Sequence, residues 1–175
     1  MQVSLVLTLL GPDRSGIVRR LADLVAGHDG NWLESRMCRL GGEFAGILRC
    51  QLPAEQQAAL ETALEEFTRE GFAVVVKPDP GHTVPEGSVA LLDLVGQDRP
   101  GIVRQVSTAL ARHGVNVEEL DTECVSAPMS GETLFRANIR VWIPANCDQA
   151  ALRADIERIA ADLLVEVTLA AAETG

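Results

Sequence analysis

Aromatic and basic residues are both scarce in this chain of 175 residues, which has no tyrosine, four phenylalanines and two tryptophans. Lys and Arg number 15 against 25 Asp and Glu, so the formal net charge at pH 7 is −10. Proteins that bind nucleic acid gain affinity from Lys and Arg that displace phosphate counterions. The charge therefore argues against direct binding to DNA or RNA, and the scarcity of aromatic residues predicts an aliphatic core.

Long apolar segments are also missing, because no hydrophobic run approaches the roughly 20 residues that cross a bilayer. The first ten residues have no basic segment of the kind that begins an export signal, and they are better interpreted as a β-strand. Four cysteines without a C-x-x-C pair are typical of buried or half-buried thiols in a reducing compartment. We therefore expect a cytoplasmic protein without membrane contact.

The sequence shows no pattern of residues that is typical of catalysis or of metal or cofactor binding. Of the three histidines, His28 and His113 fall near predicted helix ends, where a structural role is more frequent than a catalytic one, and His82 falls in a linker. The sequence contains no phosphate-binding loop and no Cys/His pair. We predict no catalytic residue, no metal site and no cofactor.

What the chain does contain is a duplication. The segment Gly11–Arg19 (GPDRSGIVR) returns as Gly96–Arg104 (GQDRPGIVR). The same offset then aligns Ala26, His28, Asn31 and Glu34 with Ala111, His113, Asn116 and Glu119. Later matches are shifted by a short insertion around residues 126–132, which indicates a longer loop between two strands in the second copy.

The hydrophobic periodicity of each copy predicts the order βαββαβ. In the first copy a strand at residues 3–9 precedes a helix that begins after the repeated segment, and Gly41-Gly42 is a signal for a two-residue hairpin. The remaining predicted elements of that copy are strands at 32–40, 43–52 and 72–77 and a helix from Ala54 to Gly71. In the second copy we predict strands at 89–95, 117–125, 133–143 and 163–170 and helices at 100–113 and 148–162.

Residues 78–88, rich in proline and glycine, are predicted to link two domains at 1–77 and 89–175. We expect an α+β protein made of two ferredoxin-like βαββαβ sandwiches. Each would have an antiparallel sheet with two helices on one face.

The repeated turn has a physical reason to be a binding site. It presents the unpaired N–H groups and positive dipole of a helix start, where a carboxylate can dock, and Gly16 and Gly101 leave room for close approach. Asp13 and Asp98 have two open interpretations, as caps of the helix or as partners of a ligand's ammonium group. Asn31 and Asn116 are either ligand contacts or residues that take a left-handed conformation after the helix.

Charged side chains near the turn also have alternative interpretations. Arg14 and Arg99 could bind a carboxylate, or they could be solvated or paired within the chain, and we favour the second interpretation. The acidic side chains of the second helix, Glu61, Glu65, Glu66 and Glu70, are interpreted as a solvated surface, with docking of a basic partner as the alternative.

These motifs resemble the ACT domains, small βαββαβ regulatory modules with an Asp-Arg-x-Gly turn before the first helix and an Asn after it. The resemblance rests on residues 13–18 (DRSGIV) with Asn31 and on residues 98–103 (DRPGIV) with Asn116, and it covers essentially the whole chain. In family members that bind amino acids, the turn and the Asn line a pocket between paired domains. Carried onto this chain, the resemblance implies ligand contacts at Asp13, Ser15, Gly16, Ile17, Asn31, Asp98, Pro100, Gly101, Ile102 and Asn116.

A tandem ACT pair without an attached enzyme is similar to family members that regulate glycine cleavage genes. The resemblance implies a non-catalytic regulator, a homodimer, that senses a small amino acid such as glycine or serine and contacts a transcriptional activator protein. Two alternatives stay open. One is a detached regulatory subunit of an enzyme of amino acid or folate metabolism, and the other is a dimerisation module without a ligand.

Overall fold

The computed structural model describes residues 1–81, 86–126 and 132–171, and the chain divides into two compact units between residues 83 and 84. The elements of the first unit are β1 (Gln2–Pro12), α1 (Ile17–Gly27), β2 (Asn31–Leu40), β3 (Glu43–Pro53), α2 (Gln57–Arg69) and β4 (Ala73–Pro78). Those of the second unit are β5 (Gly87–Gln97), α3 (Ile102–Arg112), β6 (Asn116–Ser126), β7 (Thr133–Pro144), α4 (Gln149–Leu163) and β8 (Val165–Ala171). The predicted order βαββαβ is therefore confirmed in both copies.

The two sheets have the same topology. Their strand orders are β2-β3-β1-β4 and β6-β7-β5-β8, and every pair of neighbouring strands is antiparallel. Each repeated turn lies between the first strand of its unit and the first helix. The fold is thus a pair of ferredoxin-like α+β sandwiches, as predicted.

The core of each unit lies between one face of its sheet and its two helices. Alternate residues of β1, such as Leu5 and Leu7, are buried against Leu21 of α1 and Leu60 of α2. The second unit has a separate core, in which Leu92 packs with residues of both helices. Both cores are mainly aliphatic, which agrees with the scarcity of aromatic residues.

The hairpin between β2 and β3 has the geometry that its sequence predicts. Gly41 and Gly42 both have positive φ, at 61° and 87°. Two central residues of this kind match the right-handed twist of the flanking strands. The hairpin fixes the position of Gly42, whose carbonyl contacts the first repeated turn.

Some element boundaries differ from the prediction. Pro78 ends β4, and Gly87 and Ser88 begin β5, although all three fall in the predicted linker. At Gly87 and Ser88, β5 pairs with Pro144 and Ile143 of β7. His82, residues 83–85 of the linker and residues 127–131 of the insertion lie outside the described residues.

The cysteines are not all buried. Cys50 is buried, which raises the pKa of its thiol, and Cys147 is half-buried. Cys38 and Cys124 are exposed because they lie on the edge strands β2 and β6, contrary to the prediction. Within the described residues, no helix is long and apolar enough to cross a membrane.

Candidate functional site

The two repeated turns, residues 13–16 (first turn) and 98–101 (second turn), are attached to their sheets in the same way. The Asp13 N–H donates to the carbonyl of Gly42 and the Asp98 N–H donates to the carbonyl of Thr133, both at 3.0 Å. Gly42 directly precedes β3, which pairs with the end of β1, and Thr133 is the first residue of β7, which pairs with the end of β5. The duplicated sequence therefore produces a duplicated backbone geometry.

The helix after each turn begins at a glycine in the left-handed conformation. Gly16 has φ 89° and Gly101 has φ 95°, and each accepts the first hydrogen bond of its helix, from Arg20 and Gln105 respectively. A side chain added at Gly16 would meet no heavy atom within 4 Å. Backbone conformation, rather than close packing, is what requires glycine here.

The interpretation of Asp13 and Asp98 as helix caps is wrong. No side chain caps α1 or α3, because the N-cap position of each helix is the glycine. The aspartates precede that glycine by three residues, too early for their carboxylates to take the N-cap place. By contrast, Asp148 directly precedes α4 and accepts hydrogen bonds from the N–H groups of Ala150 and Ala151 at 3.0 Å.

The absence of a side-chain cap leaves donors at both helix starts. The N–H groups of the first three helical residues lie ahead of the first intrahelical hydrogen bond. Ser15, Gly16 and Pro100 beside them are exposed, and Gly101 is half-exposed. A ligand with a carboxylate can reach such a helix start, where the dipole favours negative charge.

At the first turn, Asp13 and Arg14 form ion pairs with side chains from distant elements. Arg39 of β2 holds the Asp13 carboxylate at 3.0 Å. Arg20 forms two hydrogen bonds, at 2.6 and 2.8 Å, with Glu70 at the end of α2, and Arg14 approaches the same carboxylate at 3.5 Å. The hydrogen bonds from Arg20, aided by the charges of Arg20 and Arg14, hold the pKa of Glu70 below its ordinary value. The interpretation of Arg14 as an arginine paired within the chain agrees with this geometry.

The same contacts correct the interpretation of Glu70 as part of a solvated acidic surface. Its side chain is 28% exposed and accepts hydrogen bonds from Nη1 and Nη2 of Arg20, whose guanidinium also lies 4.5 Å from the centre of the Phe67 ring. The ion pair joins α1 to the end of α2. Glu61 and Glu65 remain exposed, with partners only one helical turn away.

The second turn has few of these contacts. Gln105 occupies the position of Arg20 in the first copy, and Arg99 donates a hydrogen bond to the side-chain oxygen of Gln97, at 3.0 Å. Among the described residues, no hydrogen bond or ion pair involves the Asp98 carboxylate. The two turns therefore share a backbone but differ in electrostatics, since only the second has an aspartate that is open to a ligand.

The other predicted ligand contacts at the turns differ in whether the backbone or the side chain is accessible. Ile17 and Ile102 are only 3% and 2% exposed, because their side chains anchor the helices in the two cores. Their contribution to a ligand site is limited to their N–H groups. Ser15 and Pro100 are exposed at equivalent positions, and only Ser15 can donate a hydrogen bond from its side chain.

Asn31 and Asn116 lie away from the turn of their own unit. Asn31 begins β2 and pairs with Gln51, whereas the first turn lies beside the opposite end of the sheet, where Leu40 pairs with Glu43. The length of β2 separates them by about 30 Å. Neither Asn takes a left-handed conformation, because the positive φ after each first helix falls on Asp29 and Gly114. A pocket that uses both a turn and an Asn needs a second domain.

The cavity next to the second turn is apolar and small. It lies between α3 and β6 in the second unit and measures about 20 Å³, close to the space of one water molecule. Val103 and Leu120, at 42% and 48% exposure, form part of its rim. Beside the second turn, the unit therefore offers an open helix start rather than an enclosed pocket for an amino acid.

His28 and His113 have structural contacts, as predicted. The Nδ1 atom of His28 lies 2.8 Å from the carbonyl of Leu24, one turn earlier in α1. His113 lies 2.9 Å from Asp155 of α4, and this hydrogen bond, with a second from Arg158, lowers the pKa of Asp155. The described ranges contain no group of three or more His, Cys, Asp and Glu side chains that could hold a metal ion.

The sequence did not reveal the ion pairs around the first turn, in which Arg39 binds Asp13 and Glu70 binds both Arg14 and Arg20. Glu70 lies 50 residues from Arg20, so their pairing depends on how α1 and α2 pack. One signal was available, because the copies differ at this point, with Arg20 in one and Gln105 in the other. Differences between duplicated copies can mark residues with a role in one copy alone.

Comparison with known proteins gives the same division of the chain. The ACT domain family matches residues 4–77 and residues 90–140. The glycine cleavage system transcriptional repressor of Escherichia coli is 27% identical over 93% of this chain and 85% of its own length. A crystal structure of an unknown protein from Galdieria sulphuraria is 32% identical, with a TM-score of 0.89 over 99% of this chain and all of the other.

A further solved structure shares the fold. The crystal structure of a glycine cleavage system transcriptional repressor, so described provisionally, has a TM-score of 0.72 and 19% identity and covers 99% of both chains. At that level of identity the likeness concerns the fold. The likeness extends over both units, not over a single domain.

Proposed function

The chain belongs to the ACT-domain family, and we propose that it is a non-catalytic, cytoplasmic regulator that binds a small amino acid and controls transcription of glycine cleavage genes. The observation that supports this most directly is the pair of uncapped helix starts, conserved in backbone geometry between the two copies of the turn. The similarity to the E. coli repressor extends over 93% of the chain and includes both copies. The partner in this proposal is a transcriptional activator protein.

The ligand chemistry follows from the groups at the second turn. The α-carboxylate accepts hydrogen bonds from the N–H groups at the start of α3, and the Asp98 carboxylate receives the α-ammonium group. Because the cavity beside the second turn holds only about one water molecule, the other wall of the ligand site comes from a paired domain, with Asn116 or Asn31 as a side-chain amide contact. Glycine and serine are the candidate ligands, since a small side chain needs little further space.

The mechanism is a shift between two arrangements of paired domains. A ligand held between two domains stabilises the arrangement that contacts it best. That arrangement then binds the activator with a different affinity, and the ligand changes the equilibrium only if its own affinity differs between the two arrangements. No chemical step by the protein is required.

A second candidate function is a dimerisation module without a ligand, and one observation favours it. At the first turn Asp13 and Arg14 already have partners in Arg39 and Glu70, so the charges of that turn are neutralised inside the unit. If the second turn also binds nothing, the duplicated geometry serves folding alone.

Calorimetric titration of the full chain with the common amino acids separates the two. We expect binding of glycine or serine, and a loss of about 10- to 100-fold in affinity for Asp98→Asn, because that change removes a charge-assisted hydrogen bond. The matched variant Asp13→Asn should change affinity less, since its carboxylate is held by Arg39. Glu65→Gln on α2 is a control with no expected effect. Absence of heat with every amino acid would favour the ligand-free module.

Co-purification from the native host tests the partner. We expect the tagged protein to retain a transcription factor, in an amount that changes when glycine or serine is added. If amino acid binding is found but no transcription factor is retained, the sensor remains and the transcriptional part of the proposal is abandoned.

A further inference from the structure

In each unit, one face of the sheet packs against the helices and the other is free of them. The open face of the first sheet is formed by the strand residues that alternate with the core. It consists of Val6, Thr8 and Leu10 of β1, Ala45, Ile47 and Arg49 of β3, Glu34, Arg36 and Cys38 of β2, and Ala73, Val75 and Lys77 of β4. Ile47, Leu10 and Val75 are about half exposed, at 53%, 49% and 48%. Such large apolar side chains grouped on one surface are typical of an interface.

The corresponding surface of the second sheet has a different composition. The central row of the first open face runs Arg36, Ile47, Thr8 and Val75 across the four strands. The equivalent row of the second sheet is Asp121, Asn138, Asp93 and Thr168. The next row of the second sheet is Glu123, Arg136, Val95 and Glu166. Two copies of one fold thus differ in this surface, and only the first is apolar at its centre.

In one row of the first open face the two edge strands carry opposite charges, whereas the next row has Arg36 on β2. One row runs Glu34, Arg49, Val6 and Lys77, so that Glu34 lies on edge strand β2 and Lys77 lies on edge strand β4. Glu34 contacts Arg49 at 3.4 Å and Arg36 at 3.6 Å. No ion pair involves Lys77 within the described residues.

This arrangement is complementary to itself. A two-fold axis parallel to the strands, placed over the open face, puts β2 of one copy opposite β4 of the other and β3 opposite β1. Glu34 then faces Lys77 of the second copy at the same level of the sheet. Ile47 faces the second copy's Thr8, and Leu10 faces its Ala45. Sheets that pack face to face keep their strands within about 30° of each other, which this axis permits.

We propose that the open face of the first sheet is an interface with the same face of a second copy of this chain, related by a two-fold axis along the strands. The proposal goes beyond the proposed function, because it names a surface that the amino acid site does not use. A symmetric interface of this kind repeats every contact twice. The open face of the second sheet has Asp93 and Asp121 in its central row, which does not favour the same contact.

The size of the face sets the expected affinity. Four strands spaced by about 4.8 Å and up to 11 residues long give a contact on the order of 1,000 Å² in total. This is at the lower end of specific protein interfaces. We therefore expect a dimer whose dissociation can be measured at micromolar concentrations.

Sedimentation equilibrium of the full chain tests the interface. We expect Ile47→Asp to weaken dimerisation at least tenfold, because it places a carboxylate at the apolar centre. The matched control is Leu91→Asp, which makes the same kind of change on the open face of the second sheet, where Leu91 is 42% exposed. Circular dichroism checks that both variants are folded. Monomeric wild-type protein at 100 μM, or Ile47→Asp with unchanged affinity, would overturn the proposal.

Charge reversal tests the two-fold axis and remains informative if Ile47→Asp does not fold. Lys77→Glu alone puts two carboxylates opposite each other and should weaken the dimer, whereas the double variant Glu34→Lys with Lys77→Glu should recover part of the lost affinity. A double variant no tighter than Lys77→Glu would rule out this arrangement. Amino acid binding by calorimetry is measured on the same proteins, so failure of the interface and failure of the sensor are distinguished.

Discussion

Glu70 shows how much of the first turn depends on one side chain. Its carboxylate accepts two hydrogen bonds from Arg20 and lies 3.5 Å from Arg14, so it joins the turn and α1 to the end of α2. Because the hydrogen bonds favour the ionised carboxyl, its pKa is lowered in the folded protein. The ion pair therefore contributes stability only when Glu70 is charged.

The pH dependence of this contribution has a defined sign. A folded pKa below the unfolded value means that the contribution is fully present above the ordinary glutamate pKa of about 4.3 and is lost as the pH falls through the lower, folded value. We expect Glu70→Gln to lower the free energy of unfolding at pH 7 and to lower it less at pH 3, measured by urea denaturation. Glu65→Gln, which removes an exposed pair with Arg69, should have little effect at either pH. An equal loss for Glu70→Gln at both pH values would contradict the role of the ion pair.

Single residues also show where sequence reasoning is limited. The Gly41-Gly42 hairpin follows from backbone sterics, which are local, and it was predicted from the sequence. The role of Asp13 was not, because Arg39 that holds it comes from another strand of the sheet. An aspartate before a helix suggests a cap, but the cap position here is taken by Gly16. Side-chain partners that are distant in sequence require the folded structure.

At the scale of elements, the two copies pack their edge strands differently. Gly46 of β3 pairs with Met37 of β2, and the equivalent pair in the second unit is Ala137 with Thr122. A Cβ at Gly46 would lie only 2.9 Å from Cγ of Met37. Methionine beside glycine in the first unit and threonine beside alanine in the second unit therefore fill a similar volume.

This exchange predicts that the two positions are coupled. We expect Gly46→Ala to destabilise the protein by about 1–3 kcal/mol through overpacking, and Met37→Thr to destabilise it by a similar amount through lost packing. The double variant copies the second unit and should be more stable than the sum of the single changes predicts, by about 0.5–3 kcal/mol. Equilibrium unfolding in urea measures all three. Gly27→Ala is the control, since an added Cβ meets nothing within 4 Å there, and strict additivity would contradict the coupling.

The order and type of the elements could be predicted because hydrophobic periodicity and the repeat agree. Their ends could not, since the boundary of a strand depends on its neighbours, as at Gly87 and Ser88 of β5. The position of Asn31 is similar. It follows the helix closely in sequence, but the helix carries the chain to the far end of the sheet from the first turn. Closeness in sequence to a motif is therefore weak evidence for a shared site.

For the whole molecule, duplication has allowed two units with one fold to diverge. The first unit has a turn with paired charges and an apolar open face. The second unit has a turn with an open aspartate and an acidic open face. The differences fit a division of roles, with assembly in the first unit and ligand binding in the second.

Such a division requires each unit to fold without the other. The two core clusters are separate, because each contains buried residues from one unit only. Domains of this size bury enough surface to be stable alone. Fragments made by dividing the chain at the linker should keep two contacts near it. One is the Arg49–Asp79 ion pair at 2.9 Å, and the other is the hydrogen bond from the Ala145 N–H to the carbonyl of Glu86 at 3.0 Å. Fragments 1–81 and 86–175 meet both conditions.

We expect each fragment to unfold cooperatively in urea with its native circular dichroism spectrum. Leu60 and Leu152 are both fully buried in the equivalent helix of their units. Leu60→Ala should therefore destabilise fragment 1–81 by about 2–5 kcal/mol, and Leu152→Ala should do the same to fragment 86–175. In the full chain, each variant should shift only the transition of its own unit. A fragment that is unfolded alone but folded when mixed with the other would show that the units depend on each other, and the division of roles would then have to be abandoned.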